Sequence, residues 1–265
     1  MTSSQPIGIF DSGVGGLSVL SHIHELMPTE DLLYVADSEH LPYGSKTSEY
    51  VVQRAIAITR FLVEQQGAKA IVIACNTATA AAVSLLRSEF PIPIIGMEPG
   101  VKPGIKESRS GVVAILATEG TLGSEKFQSL LEQHGNGAEV IVQPCNGWVE
   151  QVEHGEHDSP ETRQMVANQI EPLLKRGADT LVLGCTHYPF LRETIGTYAG
   201  KETQVIDTGL AVAQELRRRL RSKNLLGMAK TGGNTQFWTS GPPEQTGRLI
   251  SRLWGDPNRV NPLPV

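Results

Sequence analysis

The feature that most limits how this chain can fold is a series of short apolar runs, each followed by a polar turn. Runs such as AIVIAC (70–75) are continuous rather than alternating, which is typical of parallel strands buried on both faces. Segments with helical periodicity separate them, so the pattern predicts an α/β protein. The predicted strands cover residues 7–10, 32–37, 70–75, 91–96, 111–116, 138–145, 180–185 and, as the last, 204–209, and the predicted helices cover 17–26, 49–66, 77–89, 125–133, 160–176 and 210–220.

The order of these segments repeats along the chain. In each half a strand leads to a glycine-containing polar turn, and a later strand ends in a cysteine. The turns begin at Asp11 and Thr118, and the cysteines are Cys75 and Cys185. We therefore expect two similar α/β domains with mostly parallel sheets, residues 1–97 plus 210–265 and residues 98–209. Open α/β sheets bind ligands beyond the carboxyl ends of their strands, so we expect the active site in a cleft between the domains.

Composition excludes several classes of protein. The net charge of −5 argues against a nucleic-acid partner. No apolar run reaches the roughly 18 residues that a membrane span needs, and the opening MTSSQP lacks the features of a signal peptide. Three cysteines without CxxC spacing predict neither a disulfide framework nor a zinc site. We expect a cytoplasmic protein without a metal or membrane contact.

Weaker signals are interpreted as ordinary surface. The pairs His22 with His24 and His154 with His157 are read as solvated side chains rather than as metal ligands. The run Arg217–Arg219 is read as a solvated helix face. The tail 255–265, rich in Pro and Asn, is expected to be loose at its end.

The placement of Cys75 and Cys185 predicts chemistry. Each ends a buried strand, and each is expected near a helix N-terminus, where the helix dipole and free N–H groups favour the thiolate. Two facing thiols could remove a proton from one side of a carbon and deliver one to the other, which inverts a stereocentre. Packing in the core is the alternative for both cysteines, and it is the favoured interpretation for Cys145, which precedes no strand-to-helix step.

Four segments in order carry a family resemblance: GIFDSGVGGLSVL, LPYG, IACNTATA and LGCTHYPF. Together they resemble the glutamate racemases of the aspartate/glutamate racemase family, from residue 7 to about residue 209. The resemblance implies a cofactor-independent proton transfer that interconverts L- and D-glutamate and supplies D-glutamate for peptidoglycan. It implies that Cys75 takes the α-proton of D-glutamate and Cys185 that of L-glutamate. It assigns substrate binding to Asp11, Ser12, Tyr43, Gly44, Asn76, Thr77, Thr186 and His187.

The residues alone leave alternatives open. The DSGVGG turn fits an ordinary strand–helix turn better than a nucleotide-binding loop, whose GxGxxG pattern it lacks. Tyr43 could serve a plain turn, and His187 could be a surface histidine. Helix capping is the alternative role for Asn76, Thr77 and Thr186. Thr118 and Thr121 match a carboxylate-binding turn of the family less firmly. Glu153 lies where the family has an acidic residue, but CNGWVEQVE departs from the family form, and Glu153 is not assigned to the site.

The biological role also has alternatives. Racemisation of aspartate is the nearest one, and a binding protein without chemistry and a thiol redox protein are two others. Activation by a cell-wall precursor and assembly as a homodimer are left open by the sequence.

Overall fold

In a computed structural model, the described residues are 4–135, 137–227, 232–255 and 259–265. They form two compact units, one of Met1–Met97 with Gly209–Val265 and the other of Glu98–Thr208. Each unit is an α/β structure with one sheet. Within the described ranges, no helix is both long enough and apolar enough to span a membrane.

The first unit has a six-stranded sheet in which every pair is parallel. Its strand order is β10-β9-β2-β1-β3-β4. The strands are β1 (Ile7–Asp11), β2 (Leu32–Ala36), β3 (Ala70–Ile73), β4 (Ile94–Ile95), β9 (Thr235–Thr239) and β10 (Val260–Pro262), and the helices are α1 (Leu17–Leu26), α2 (Ser48–Arg60), α3 (Asn76–Glu89), α10 (Gly209–Ser222) and α11 (Pro243–Trp254).

The central strands of this sheet are buried along their whole length. Ile9 of β1 pairs with Tyr34 of β2 and with Val72 of β3, and helices cover the sheet. This burial explains why β1 and β3 read as unbroken apolar runs in the sequence. The same register brings the carboxyl ends of β1, β2 and β3 to one edge.

The second unit has a four-stranded parallel sheet of order β6-β5-β7-β8. The strands are β5 (Val112–Ala117), β6 (Glu139–Pro144), β7 (Thr180–Leu183) and β8 (Gln204–Ile206), and the helices are α4 (Val101–Glu107), α5 (Glu119–Leu122), α6 (Glu125–His134), α7 (Trp148–Glu153), α8 (Pro160–Lys175) and α9 (Arg192–Ala199).

The predicted repeat is confirmed by the strand order. Across the two sheets, β2-β1-β3-β4 and β6-β5-β7-β8 have the same arrangement, so β1 corresponds to β5 and β3 to β7. The turn after β1 thus corresponds to the turn after β5, and the end of β3 to the end of β7. Cys75 and Cys185 lie just beyond these last two strand ends.

The chain departs from the sequence expectations in several segments. The predicted last strand, 204–209, is followed by β9 and β10. The predicted helix 49–66 is α-helical only to Arg60 and continues as a π-helical turn, Phe61–Gln65. The C-terminal tail is not loose where it is described, because Val260–Pro262 pairs with β9 as an edge strand. The part of this tail at 256–258, and residues 1–3 of the opening segment, lie outside the described residues.

Candidate functional site

Cys75 lies where β3 gives way to α3, as the sequence predicts. Its backbone is extended (φ −147°, ψ 122°), and its Sγ accepts a hydrogen bond from the N–H of Ala78 at 3.5 Å. Cys75 is therefore the N-cap of a 14-residue helix. The positive end of that helix favours negative charge on the sulfur.

Asp11 ends β1, the strand beside β3. Its carboxylate Oδ2 accepts a hydrogen bond from the Gly16 N–H at 2.7 Å, and the residue is fully buried. A Cβ at Gly16 would lie 2.8 Å from the Asp11 Cβ and 3.0 Å from that of Ala74. The glycine thus allows the turn to close tightly around the Asp11 side chain. Ser12, the next residue, is also buried.

The side-chain amide of Asn76 lacks a hydrogen-bond partner among the described residues. The residue is 4% exposed, and within the described chain neither Oδ1 nor Nδ2 has a hydrogen-bond partner. Buried amides without partners are rare in folded proteins. An amide in this state, next to Cys75, is a polar group available to a ligand. Thr77 follows it in the first turn of α3 and is half-buried.

Tyr43 belongs to a 3₁₀ turn, Tyr43–Ser45, that also holds the half-buried Gly44. Its hydroxyl donates to Asp37 Oδ2 at 2.5 Å, and Arg54 donates to both oxygens of Asp37 at 2.9 and 2.8 Å. Burial and the neighbouring Asp37 carboxylate raise the pKa of Tyr43 far above its usual value. Tyr43 packs in the same buried cluster as Cys75. It therefore stays a neutral phenol close to that thiol.

Cys185 follows β7 and Gly184 and is half-buried. Its Sγ lies 3.7 Å from Nδ1 of His187, and Nε2 of His187 lies 2.6 Å from Oε1 of Glu153. His187 is 1% exposed. Burial alone lowers the pKa of this histidine, but its hydrogen bonds to Cys185 and Glu153 outweigh burial and raise the pKa well above the usual value. The three side chains form a thiol–imidazole–carboxylate chain that favours an imidazolium beside the sulfur.

One expectation for Cys185 is wrong. No α-helix begins at this cysteine: the chain turns, forms a 3₁₀ segment at Tyr188–Leu191, and enters α9 only at Arg192. The buried Thr186 lies in that turn. The group beside Cys185 is thus an imidazole rather than a helix N-terminus.

Sequence reasoning left Glu153 out of the site, but the structure places its carboxylate against His187. Glu153 ends α7 and its carboxylate contacts His187 across 34 residues of sequence. The position of an acidic residue in CNGWVEQVE was the only signal, and the departure of that segment from the family form concealed it. The contact depends on how α7 packs beside the turn after β7.

The remaining candidates have clear structural roles. Thr118 caps α5, and its hydroxyl lies 3.1 Å from that of the buried Thr121. Cys145 is 2% exposed, and burial together with the nearby Cys185 raises its pKa well above the usual value. Packing, the interpretation favoured for Cys145, agrees with this burial. Within the ranges that the structure describes, no three His, Cys, Asp or Glu side chains are grouped as metal ligands would be.

The structure thus groups the predicted residues in two sets. Six of them accompany Cys75 in the first unit: Asp11, Ser12, Tyr43, Gly44, Asn76 and Thr77. Thr186 and His187 accompany Cys185 in the second unit. Each set lies at the carboxyl end of its own parallel sheet, where α/β proteins bind ligands.

Residues 7–216 match the family described as Asp/Glu/Hydantoin racemase. Because this match spans most of the chain, the protein belongs to that family. Its curated relatives include a glutamate racemase of Methylococcus capsulatus, which is 57% identical over 100% of this chain and 98% of the relative. The chain is accordingly an isomerase that acts on amino acids.

Solved structures agree with this assignment. A glutamate racemase isoform from Bacillus anthracis is 33% identical, with a TM-score of 0.89 and coverage of 98% of both chains. The glutamate racemase of Escherichia coli, solved with L-glutamate and the activator UDP-MurNAc-Ala, is 29% identical, with a TM-score of 0.87 and 98% coverage of both chains.

Proposed function

We propose that this protein interconverts L-glutamate and D-glutamate by proton transfer at the α-carbon, with Cys75 and Cys185 as the two acid–base groups. The observation that carries the proposal is the equivalence of the two cysteines: each follows the third strand, in chain order, of four strands that are arranged alike in the two sheets. A protein that only bound an amino acid would not need a thiol at both equivalent positions.

The proposed reaction conserves protons. In the direction from L to D, the Cys185 thiolate takes the α-proton of L-glutamate and becomes a thiol. The Cys75 thiol gives its proton to the other face of the carbon and becomes a thiolate. The reverse reaction begins with the Cys75 thiolate and D-glutamate. No electron leaves the system, so the chemistry requires no redox cofactor.

The two sets of residues have distinct tasks in this scheme. A thiolate is a weak base for an α-proton, so the negative charge that develops on the substrate must be stabilised. The unsatisfied amide of Asn76 and the hydroxyl of Thr77 are placed to donate to a carboxylate, as is Thr186 in the other unit. Asp11 can hold the ammonium group, and Ser12 and the Tyr43–Gly44 turn complete the proposed contacts.

His187 and Glu153 have the task of setting the charge of Cys185. The hydrogen bonds to Cys185 and Glu153 raise the pKa of His187 well above its usual value, which favours an imidazolium 3.7 Å from the Cys185 sulfur. Glu153 holds the far nitrogen and fixes the orientation of the ring.

The biological role follows from the product. We propose that the enzyme acts in the cytoplasm and supplies D-glutamate for peptidoglycan synthesis. The E. coli relative was solved with the activator UDP-MurNAc-Ala, and activation by a cell-wall precursor stays a prediction for this chain. So does homodimer formation. Rates measured with and without UDP-MurNAc-Ala, and light scattering, test these two predictions.

The direct test of the function is racemisation of a pure enantiomer. Purified protein incubated with L-glutamate should bring the circular dichroism of the solution to zero, and D-glutamate should reach the same end point. L-aspartate serves as the comparison substrate, and we expect far slower change. Unchanged signals from both glutamate enantiomers, with folded protein, would remove the proposal, and faster loss with aspartate would change the substrate.

A further inference from the structure

Asp37 is a buried carboxylate that joins two of the proposed substrate-binding residues. It directly follows β2 and is fully buried. Its backbone N–H donates to the carbonyl oxygen of Asp11 at 3.0 Å. Its side chain accepts the Tyr43 hydroxyl at 2.5 Å. One residue thus connects the Asp11 turn to the Tyr43–Gly44 turn.

Arg54 holds this carboxylate in place. It reaches from α2 and donates to both oxygens of Asp37 in the two-pronged geometry of an Arg–carboxylate pair. Its Nη2 also donates to the backbone oxygen of Val265 at 3.2 Å. The Arg54 side chain is 15% exposed and that of Asp37 is 0% exposed. Limited solvent and several bonds leave the Asp37 carboxylate little freedom to rotate.

The hydroxyl of Tyr43 has one proton, which it donates in its hydrogen bond to Asp37. Tyr43 therefore has no hydroxyl proton left for a substrate while this bond persists. What the turn can still offer a ligand is its backbone, since the N–H groups of Tyr43 and Gly44 are rigidly placed once the phenol is anchored. The Asp37 contact thus fixes the position of a backbone donor site rather than supplying a side-chain donor.

We propose that Arg54 is a positioning residue for the racemase reaction: through Asp37 and Tyr43, it fixes the Tyr43–Gly44 turn beside Cys75 in the geometry that binds the substrate. The proposal rests on the proposed function. Neither Arg54 nor Asp37 contacts the reacting atoms in it. Arg54 acts only through the chain Arg54–Asp37–Tyr43.

The test is a double-mutant cycle between Arg54→Gln and Tyr43→Phe, with KM and kcat measured in both directions. Arg54→Gln should raise KM about 10-fold and lower kcat less, because the turn is displaced while both thiols stay in place. If Arg54 acts through Tyr43, the double variant should be within about twofold of the worse single variant, because coupled residues are not additive. An Arg54 with a purely structural role would give effects that multiply.

Arg60 supplies the matched control. It lies on the same helix, is exposed, and pairs only with Glu64 on the surface among the described contacts. Arg60→Gln should leave KM unchanged. Arg54→Lys keeps the charge but loses the two-pronged geometry, and it should restore part of the loss. If Arg54→Gln fails to fold, the cycle between Arg54→Lys and Tyr43→Phe decides the same question.

The outcomes separate this inference from the proposed function. Wild-type protein that does not racemise glutamate contradicts the proposed function itself. Wild-type activity with equal KM values in Arg54→Gln and Arg60→Gln overturns the positioning role alone. So do single-variant effects that multiply in the double variant.

Discussion

The surroundings of Cys75 and Cys185 differ although their strands occupy equivalent places in two like-ordered sheets. Cys75 caps a long helix and packs in a cluster with Tyr43. Cys185 precedes a 3₁₀ turn and contacts an imidazole held by a carboxylate. The duplicated topology therefore sets the position of each sulfur, and local, non-duplicated residues set its surroundings: a helix N-terminus at Cys75 and the His187 imidazole at Cys185.

Removal of either thiol should have the largest effect. Cys75→Ser and Cys185→Ser should each lower the racemisation rate about a thousandfold or more, because a hydroxyl is a far weaker acid–base group at neutral pH. Cys145→Ser is the control and should keep most of the activity. Initial rates of circular-dichroism change measure this. Near-normal turnover in either of the first two variants would contradict the two-base scheme.

The next largest effect is expected from loss of the contact between Glu153 and His187. Glu153→Gln should lower the rate about 10- to 100-fold, since the ring loses the carboxylate that orients it and stabilises its charge. The exposed Glu156, three residues on, is the control through Glu156→Gln. If the two variants were equally active, the Glu153 contact would have no role in activity.

Glu153→Gln should also change how the rate depends on pH. The raised pKa of His187 means that its charge, and the stability it adds, are fully present below the unfolded pKa of about 6.5 and are lost as pH rises through the folded pKa. Loss of Glu153 removes a cause of the raised pKa. The alkaline limb of the pH–rate profile should therefore move to lower pH in Glu153→Gln, whereas a profile of unchanged position would contradict this cause.

A smaller effect is expected from the turns after β1 and β5. Gly16→Ala places a methyl 2.8 Å from the Asp11 Cβ, and overpacking of this kind costs about 1–3 kcal/mol. It should also displace Asp11 and lower activity. Gly123→Ala in the corresponding region of the second unit meets only the Glu119 carbonyl at 3.3 Å. Thermal unfolding should show a clear loss for Gly16→Ala and a smaller one for Gly123→Ala, and the reverse order would be evidence against the tight first turn.

The smallest effect on catalysis is expected at Asp179, away from both thiols. Burial alone raises its pKa, but donors from Ser108, Ser110, Arg109 and Thr180 outweigh burial and lower it. The ionised Asp179 carboxylate therefore adds to the stability of the fold above its unfolded pKa of about 3.9. This contribution is lost as pH falls through the lowered folded pKa.

Asp179→Asn should therefore destabilise the protein by about 1–2 kcal/mol at pH 7, with KM and kcat unchanged. The difference should shrink in strong acid. Asp158→Asn, at an exposed surface pair, is the control. Thermal unfolding at pH 7 and in strong acid measures the stability of each variant. Equal stability of the two variants at pH 7 would show that the donors around Asp179 add little.

Several parts of the fold could be predicted from sequence because burial leaves a local trace. Parallel strands such as β3 and β7 have continuous apolar runs, and the repeat of strand, turn and cysteine revealed the duplication. The short helix α4, which contains Pro103 and Gly104, was not predicted. β9 and β10 were not predicted: β9 lies inside the sheet but its sequence, TQFWT, mixes polar and aromatic residues, and β10 is an edge strand of only three residues.

The candidate site also has parts that could be predicted from the sequence and parts that could not. Cys75 at a helix N-terminus could be predicted, since strand and helix are adjacent in sequence. The helix expected near Cys185 begins only at Arg192, because a 3₁₀ segment, Tyr188–Leu191, comes first. Glu153 and Asp37 act through contacts across packed elements, which no spacing in the sequence records. The substrate-binding roles of the assigned residues stay predictions.

The central claim is that two different thiols handle the proton on the two faces of one carbon. Its most direct test is early turnover of each glutamate enantiomer in heavy water, with deuterium at the α-carbon measured separately in substrate and product. With two bases, nearly every product molecule should carry deuterium while the remaining substrate stays protiated. Protium retained in the product, or equal deuterium in both pools from the start, would indicate a single shared base and contradict it.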